Sequence, residues 1–503
     1  MTRRTLRAVG SFGTGHDMFC FVKKHILFGI GLGLAVFGIV ACEDSSDEGG
    51  PPDAGDLLLG GGAMPDGSSI TTDTGAADSS NDALADVGVG DGGGVPPLLP
   101  PDWFVSPTGD DANDGKSTAK PFKTLCKVRG VVQANQVIVL MDGAYDSGNQ
   151  RPVGWIQNGP CGPTFTTSVV LHALNAGQAL VRVPLAFNQG GAVRGIKLEN
   201  DPPGGGPVSR GSIQATGGTL TIRALTVGDV TSSPNAKAAP LVVSGSAKVT
   251  LIPDGVANYT TVPVANLRGQ TFAFITGGGE LTVEGGTFDD SAANNADPYC
   301  NPLFEGGGKL TLKGVTVHHK GTVLRAYGTA SLEGSVIENR STVSGTGCGP
   351  VIGVLGNIDI RITNTSIRGS FRGLETEFVS SGPVTITNST LEGSVDYGIN
   401  LSGNMLKLRG STVKSAGIGI RIAGAATADL GTAADVGGNT LTGSTTTALR
   451  VETATVVSAV GNTWVANQQG SDAQGKYPAA ELKTGPMTGL NFTLVNAAHS
   501  TQL

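Results

Sequence analysis

From about residue 210 the chain is built of short segments in which apolar and polar residues alternate, each closed by a turn residue. Alternation with a period of two puts successive side chains on opposite faces of a β-strand, so the pattern predicts strands and excludes helical repeats. The closing residue is Gly or Asn, and both tolerate the left-handed backbone of a tight turn. The clearest segments are 281–285 (LTVEG), 310–314 (LTLKG), 360–364 (IRITN), 384–388 (VTITN) and 406–410 (LKLRG).

These segments belong to units that recur at a spacing typical of a stacked repeat. When the units are aligned on their opening strands, the steps are 20, 28, 23, 25, 21 and 29 residues. Irregular steps favour a β-helix, whose turns tolerate insertions, and predict a single-stranded, all-β parallel β-helix with coils about 4.8 Å apart. An antiparallel β-sandwich is the alternative, but it would show hairpin turns at shorter spacing. The aligned positions are Leu303, Val323, Val351, Leu374, Ile399, Ile420 and Leu449.

The N-terminus has the pattern of an export signal. Lys23 and Lys24 precede an apolar run, residues 26–41, which is short for a membrane-spanning helix and has the length of a signal-peptide core. The run ends in Ile-Val-Ala-Cys at residues 39–42, which resembles the lipobox of bacterial lipoproteins. The resemblance implies that residues 1–41 are removed and that Cys42 is diacylated. An uncleaved anchor is the alternative. Met18 is a better start than Met1, because it leaves a signal of ordinary length.

Composition separates a tether from the repeat domain. Residues 43–101 contain twelve acidic residues and no Lys or Arg, and they are rich in Gly and Pro. Such a segment cannot bury enough apolar surface to offset chain entropy, so residues 42–101 are predicted to be a disordered acidic tether. This acidic segment makes the net charge of the whole chain −7, and the residues after position 101 are near neutral, without the basic face of a nucleic-acid binder. The whole chain has 78 glycines and 39% hydrophobic residues, which fits a turn-rich β architecture outside the tether.

The entry to the repeat domain resembles a known family. Residues 103–115 read WFVSPTGDDANDG and residues 121–125 read PFKTL. This resembles the entry motif of a bacterial family of unknown function in the pectin-lyase-like superfamily, a motif that some polysaccharide lyases share. Residues 136–145 and 429–440 resemble the first strand and a late-coil motif of the same family. The resemblance spans about 102–470 and implies a right-handed parallel β-helix, which leaves 471–503 as a C-terminal cap or tail.

A short N-terminal capping helix is predicted behind this motif. Pro121 suits the first turn of a helix, and Phe122, Leu125, Val128 and Val132 follow at near-helical spacing. A helix here would cover the open end of the solenoid, where strand edges are otherwise unpaired.

Four cysteines remain in the predicted domain: Cys126, Cys161, Cys300 and Cys348. An even number in an exported domain predicts two disulfides, and we pair Cys126 with Cys161 and Cys300 with Cys348. The second pair lies near strands two coils apart, about 9.6 Å, whereas a disulfide needs Cα atoms within about 7 Å. The loops before those two cysteines must therefore bend together. No C-x-x-C or His cluster favours a metal site instead.

The alignment also predicts a polar face. One residue after the aligned positions lie Glu375, Asn400, Arg421 and Arg450, with Arg372 at one end. Leu324 and Ile352 take the same place in earlier coils, so the polar part begins at Glu375. The hypothesis is a binding surface for an extended anionic or neutral glycan, and the alternative is an ordinary solvated face.

The sequence offers few candidate residues for catalysis or metal binding. Asp110, Asp111 and Asp114 form an acidic loop whose hard oxygen ligands suit Ca²⁺, although such loops more often satisfy their own turns. His318 and His319 are adjacent on a strand, so their rings face opposite ways. A Ser-His-Asp order, a phosphate loop or a zinc motif is absent from the sequence, so we assign no catalytic residue.

Three hypotheses follow. The first is a non-catalytic lipoprotein of the bacterial cell envelope, predicted on the outer membrane, that contacts glycans or other surfaces. The second is a polysaccharide lyase or hydrolase for a uronate polymer, which on this scaffold would need clustered carboxylates for Ca²⁺ and an Arg or Lys base. The third is a structural envelope protein or adhesin with protein partners. The fold alone decides nothing among them, and whether the chain is an enzyme stays open. We predict a monomer, with the membrane as partner through Cys42, no nucleic acid, and no cofactor other than calcium.

Overall fold

A computed structural model describes part of the chain, which divides into two compact units, Met1–Asn81 and Asp82–Leu503. In the first unit, strand Cys20–Lys24 pairs antiparallel with strand Gly38–Cys42. No helix among the described residues is long and apolar enough to cross a membrane. The described residues are 20–24, 38–42, 100–150, 162–199, 212–228, 239–252, 261–262, 271–289, 302–340, 349–356, 358–369, 371–377, 382–415, 417–432, 434–444, 447–452, 457 and 459–464.

The second unit is a parallel β-helix. Its strands form three sheets, and between Gln136 and Glu452 the described strands follow one another in the order sheet 1, sheet 3, sheet 2 before the chain returns to sheet 1. Every pair of neighbouring strands within these sheets is parallel, and the partners come from successive coils. The predicted all-β fold class is confirmed. The predicted domain boundaries, at residues 41/42, 101/102 and 470/471, are not tested by the fold and stay predictions.

Sheet 1 contains thirteen described strands: Trp103–Val105, Gln136–Leu140, Val169–Ala173, Gly190–Arg194, Thr219–Arg223, Lys248–Ile252, Glu280–Glu284, Lys309–Lys313, Ala330–Glu333, Ile360–Thr363, Pro383–Thr387, Met405–Arg409 and Thr427–Asp429. Sheet 2 contains twelve described strands: Thr164–Phe165, Pro184–Phe187, Ser212–Ala215, Leu241–Val243, Ala273–Ile275, Phe304–Gly306, Leu324–Ala326, Ile352–Leu355, Arg372–Glu377, Tyr397–Leu401, Ile418–Ala423 and Thr447–Glu452.

Sheet 3 is described in two parts. The four-stranded part contains Gly143–Tyr145, Ala179–Val181, Lys197–Leu198 and Thr226–Val227. The nine-stranded part contains Thr261–Val262, Thr287–Asp289, Thr316–His319, Val336–Asn339, Ser366–Arg368, Thr390–Ser394, Thr412–Ser415, Thr440–Thr442 and Thr463–Trp464.

The core is a file of apolar side chains along the axis. In sheet 2, Leu374 pairs with Ile399 and Ile399 with Ile420, and all three are fully buried. In earlier coils, Phe272, Phe288 and Phe304 pack edge to face, and their ring centroids are 5.3 to 6.0 Å apart. Stacking these side chains removes apolar surface from water in every coil, which stabilises the solenoid along its length.

The turns from sheet 1 to sheet 3 have the predicted left-handed residue. It is Gly334, Asn364, Asn388 and Gly410 in four successive coils, with φ between +49° and +58°. The next residue is polar and buried, and its side chain accepts a hydrogen bond from the backbone N–H of its counterpart in the preceding coil. We call this set the turn ladder, and its members are Ser335, Thr365, Ser389, Ser411, Asn439 and Asn462.

The entry motif differs from its prediction in one respect. The helix is only Leu125–Arg129, with Thr124 as N-cap, whose side chain accepts from the N–H of Lys127 at 3.1 Å. Pro121 and Phe122 therefore precede the helix. Phe122 instead forms a β-bridge with Val105 and stacks on Trp103, with centroids 5.6 Å apart. The signal for the helix start is Thr124, since Thr is a good N-cap and Pro121 lies too early.

The register also corrects the alignment in three coils. Leu374 pairs with Ile352, Ile352 with Leu324, and Leu324 with Phe304, so the early positions lie one residue later than predicted. Leu324 and Ile352 are therefore core residues and not members of the outward column.

Candidate functional site

The four predicted ladder residues lie in register on the outer face of sheet 2. Glu375 pairs with Asn400, Asn400 with Arg421, and Arg421 with Arg450. They face outward because each follows a fully buried residue of the core file, and side chains of a strand alternate. The backbones are about 4.8 Å apart from coil to coil, so the set runs parallel to the axis. We call Glu375, Asn400, Arg421 and Arg450 the sheet 2 ladder.

An amide links the charges at the centre of this ladder. The Nδ2 group of Asn400 donates to Oε1 of Glu375 at 2.8 Å, and Oδ1 of Asn400 accepts from Nη1 of Arg421 at 3.1 Å. Asn400 is only 5% exposed, so both of its polar atoms are committed to these neighbours. The guanidinium of Arg421 also lies 5.8 Å from the ring of Tyr397.

Both ends of the ladder close in ion pairs. Arg372 donates to Glu375 at 2.9 Å and to Asp396 at 3.3 Å. Burial alone would lower the pKa of Arg372, but the hydrogen bonds to Glu375 and Asp396 outweigh it and raise the pKa, so the charge stays fixed. At the other end Glu452 pairs with Arg421 and with Arg450.

The network as a whole is electrically balanced. Its three arginines face three carboxylates, those of Glu375, Asp396 and Glu452. Paired charges attract an anionic ligand weakly, because each guanidinium already has a carboxylate counter-charge. The surface can offer forked hydrogen bonds to hydroxyl groups without a strong net field.

Two outward residues of this column were missed in the sequence. With the corrected register, Glu305 and Arg325 occupy the place of Glu375 in earlier coils, followed by Gly353. The alternation of apolar and polar residues within each strand could have revealed them: Arg325, for example, stands between two buried residues.

The acidic loop of the entry motif is tied to its own backbone. Oδ1 of Asp110 accepts from the N–H of Ala112, and Oδ1 of Asp114 from that of Lys116. Asp111 accepts from the N–H groups of Lys123 and Thr124 and from the Thr124 hydroxyl, each at 2.8 to 2.9 Å. In the part of the chain that the structure describes, no group of three or more His, Cys, Asp or Glu side chains is placed to hold a metal ion. Calcium binding stays a prediction.

Sheet 3 carries a second charged column. His318 lies between Asp289 and Glu338, 3.5 Å from each carboxylate, while its neighbour His319 is buried, as expected for opposite faces. The column continues through Arg368, Glu392 and Lys414 with alternating sign. Arg368, Glu392 and Lys414 form ion pairs with their neighbours from coil to coil, which accounts for this part of the column without a ligand.

The cysteine predictions are not tested. Cys126 lies on the capping helix and is 8% exposed. Cys161, Cys300 and Cys348 lie outside the described residues, so both pairings stay predictions.

No family model matches the chain, and no curated protein matches it in sequence. Among solved structures it is similar to a GH136 lacto-N-biosidase from Eubacterium ramulus, with 12% identity over 78% of this chain and 67% of that one and a TM-score of 0.32. A rhamnogalacturonan lyase (11% identity, 78% and 87% covered) and pectate lyase Pel9A (12%, 77% and 88%) both have a TM-score of 0.24. At these values the fold assignment rests on the strand ladders, and nothing about activity follows.

Proposed function

We propose that this protein is a non-catalytic, glycan-contacting β-helix held at the bacterial cell envelope by a lipid on Cys42. The observation that carries the proposal is the chain of hydrogen bonds from Glu375 through Asn400 to Arg421 on one outer face. A row of polar groups that repeats every coil fits an extended polymer better than a compact small molecule. Because the groups already hold one another, little side-chain entropy is lost when a ligand binds.

The charge balance favours a neutral glycan over a uronate polymer. A lyase of the kind considered from the sequence would need clustered carboxylates for Ca²⁺ and a base free to take a proton. The arginines of this network are ion-paired, and their carboxylate partners are spread over successive coils. Both features argue for binding through hydrogen bonds to hydroxyl groups.

Binding is tested with the full-length protein purified in detergent, on an array of neutral and uronate oligosaccharides. Replacing Arg421 with Ala removes the donor to Asn400 and should weaken glycan binding about tenfold or more, since a hydrogen bond to a charged group contributes about 1.5 to 3 kcal/mol. The matched control is Arg340→Ala, which removes an exposed, ion-paired arginine directly after a sheet 3 strand and should change affinity less than about twofold.

Two outcomes would contradict the proposal. One is the absence of binding to every glycan, which would favour a structural protein or an adhesin. The other is the appearance of unsaturated uronide absorbance with pectate or alginate in the presence of Ca²⁺, which would establish a lyase.

The membrane anchor is tested separately. A labelled fatty acid should be incorporated into the wild-type protein and not into the Cys42→Ser variant, and only the wild type should sediment with the outer membrane. Labelling of the Cys42→Ser variant would contradict lipidation at Cys42 and would have no bearing on the proposed glycan contact.

A further inference from the structure

A groove separate from the sheet 2 ladder lies where the chain passes from sheet 2 to sheet 1. We call it the glycine groove. Its floor includes Gly278, Gly307 and Gly328, and its walls carry Tyr327, Glu280 and Lys309. The groove has a volume of about 600 Å³, within the range of about 300 to 1,000 Å³ typical of ligand pockets.

The groove is elongated along the axis. Its lining runs from Gly277 to Pro383, which belong to the first and last of five consecutive coils. At about 4.8 Å per coil this is a length of about 19 Å. A monosaccharide or a single anion would fill only part of it, so the shape favours an extended chain.

Most of the floor is glycine because the coils stack closely there. A Cβ atom on Gly308 would lie 2.4 Å from the carbonyl oxygen of Gly279, and one on Gly328 would lie 2.3 Å from that of Gly307. Gly307 is different: a Cβ atom there would meet only the Cβ of Tyr327, at 3.8 Å. Packing does not require glycine at 307, and its effect is to keep the floor of the groove open.

Tyr327 gives the groove an aromatic wall. The residue is 43% exposed, and its backbone N–H is held by the carbonyl of Gly306 at 2.9 Å. An exposed ring on a fixed backbone offers an apolar face at low entropic cost, with a hydroxyl at its tip. The C–H faces of a sugar ring are the kind of surface that such a ring covers.

The polar walls are paired and close to neutral. Glu280 lies 3.1 Å from Lys309 and 3.6 Å from Lys248, and Asp359 lies 2.8 Å from Arg361. The hydrogen bond from Lys309 lowers the pKa of Glu280, so its carboxylate stays charged at neutral pH. Balanced donors and acceptors suit hydroxyl groups better than carboxylates or phosphates.

We propose that the glycine groove binds a neutral oligosaccharide along the axis, with Tyr327 against one sugar ring and Glu280 and Lys309 hydrogen-bonded to ring hydroxyls. This rests on the proposed glycan contact and adds a second site for it, made of residues other than the sheet 2 ladder.

The test is calorimetric titration of the full-length protein in detergent with cello-, manno- and galacto-oligosaccharides of two to six units, and with oligogalacturonate as the charged probe. At least one neutral series should bind, more tightly with increasing length and more tightly than oligogalacturonate. Tyr327→Ala should weaken that binding about tenfold, while Tyr327→Phe, which keeps the ring, should stay within about threefold. Gly307→Val, which fills the floor, should weaken it about tenfold.

The control is Leu174→Ala, which removes an exposed apolar side chain remote in sequence and should leave affinity unchanged. Unfolding midpoints equal to wild type confirm that each variant is folded. If Tyr327→Ala and Gly307→Val bind normally while Arg421→Ala does not, the groove proposal is wrong and glycan contact stands. If no probe binds, or if oligogalacturonate binds more tightly than every neutral series, the groove proposal is wrong, while glycan contact is decided separately by the array.

Discussion

The backbone N–H of Thr365 donates a hydrogen bond of 3.1 Å to the hydroxyl of Ser389, which occupies the same place one coil later. Both residues are buried, at 2% and 3% exposure, so neither group can turn to water instead. The Ser389 hydroxyl in turn donates to the carbonyl of Thr387 at 2.8 Å. The turn ladder thus satisfies backbone groups that the left-handed turn leaves without a strand partner.

Ser389→Ala should lower the free energy of unfolding by about 1 to 3 kcal/mol, because the Thr365 N–H loses its acceptor while buried. The measurement is the urea unfolding midpoint by circular dichroism. Ser331→Ala is the matched control, since Ser331 lies on the outer face of sheet 1, and it should change stability by less than about 0.5 kcal/mol. Equal effects of the two substitutions would mean that the ladder bond contributes nothing.

Asn388 has a φ of +49° in the left-handed region. Asn388→Val should destabilise the protein by about 1 to 2 kcal/mol, because a β-branched side chain is strained there, whereas Asn388→Gly should stay within about 1 kcal/mol of wild type. Thermal unfolding of the two variants makes the comparison. A Val variant as stable as the Gly variant would exclude left-handed strain at this turn.

Asp435 should make stability depend on acid pH. Hydrogen bonds from Arg409 and then Lys407 lower its pKa from 3.8 to about 2. Because the folded-state pKa is lower than the unfolded one, the stabilisation is present above about pH 4 and is lost as the pH falls towards 2. The difference in unfolding midpoint between wild type and Asp435→Asn should therefore shrink over that interval. A difference that stays constant from pH 6 to pH 2 would contradict the assignment.

Phe288 fills the core between Phe272 and Phe304 and is 2% exposed. Phe288→Ala should cost about 3 to 5 kcal/mol, and Phe288→Leu less, since a smaller cavity remains. Phe274→Ala is the control: Phe274 is 39% exposed on the outer face of sheet 2 and should lose less than about 0.5 kcal/mol. Chemical denaturation of the three variants tests the order, and comparable losses at 274 and 288 would show that the core assignment is wrong.

The strands and their turns were predictable because two local rules act in every coil. Alternation marks the strand, and Gly or Asn marks the left-handed residue after it, as at Asn364 and Gly410. Neither rule needs knowledge of distant residues. The polar residue after the turn follows the same logic, but the hydrogen bond that its side chain accepts from the preceding coil depends on stacking and was not foreseen.

The register was predictable only where one apolar residue begins the strand. In three early coils two buried apolar residues stand side by side, as with Val323 and Leu324, and the pattern does not tell which belongs to the core file. In later coils the residue before the core residue is small. At Gly419, for example, a larger residue would not fit, because a Cβ atom there would lie 2.5 Å from the carbonyl oxygen of Ala448. The ambiguity therefore vanishes from Leu374 onwards, where the ladder was placed correctly.

The alignment of the sheet 2 ladder residues along the axis was predictable from the sequence, but the hydrogen bonds and ion pairs among them were not. Sequence spacing places Arg421 above Asn400, but the carboxylate that pairs with it, Glu452, is 31 residues away. The glycine groove was not foreseen, because its lining comes from five coils and its floor has no side chains. Tyr327 stands out only once its exposure is known.

The turn ladder also bears on how such a domain changes size. Thr365 bonds to Ser389, and Ser389 bonds to Ser411 in the same manner. Deleting the 22 residues from Ser389 to the one before Ser411 would present an identical hydroxyl to Thr365. At the turn ladder, removal of this one coil would therefore leave the Thr365 N–H with an acceptor of the same kind.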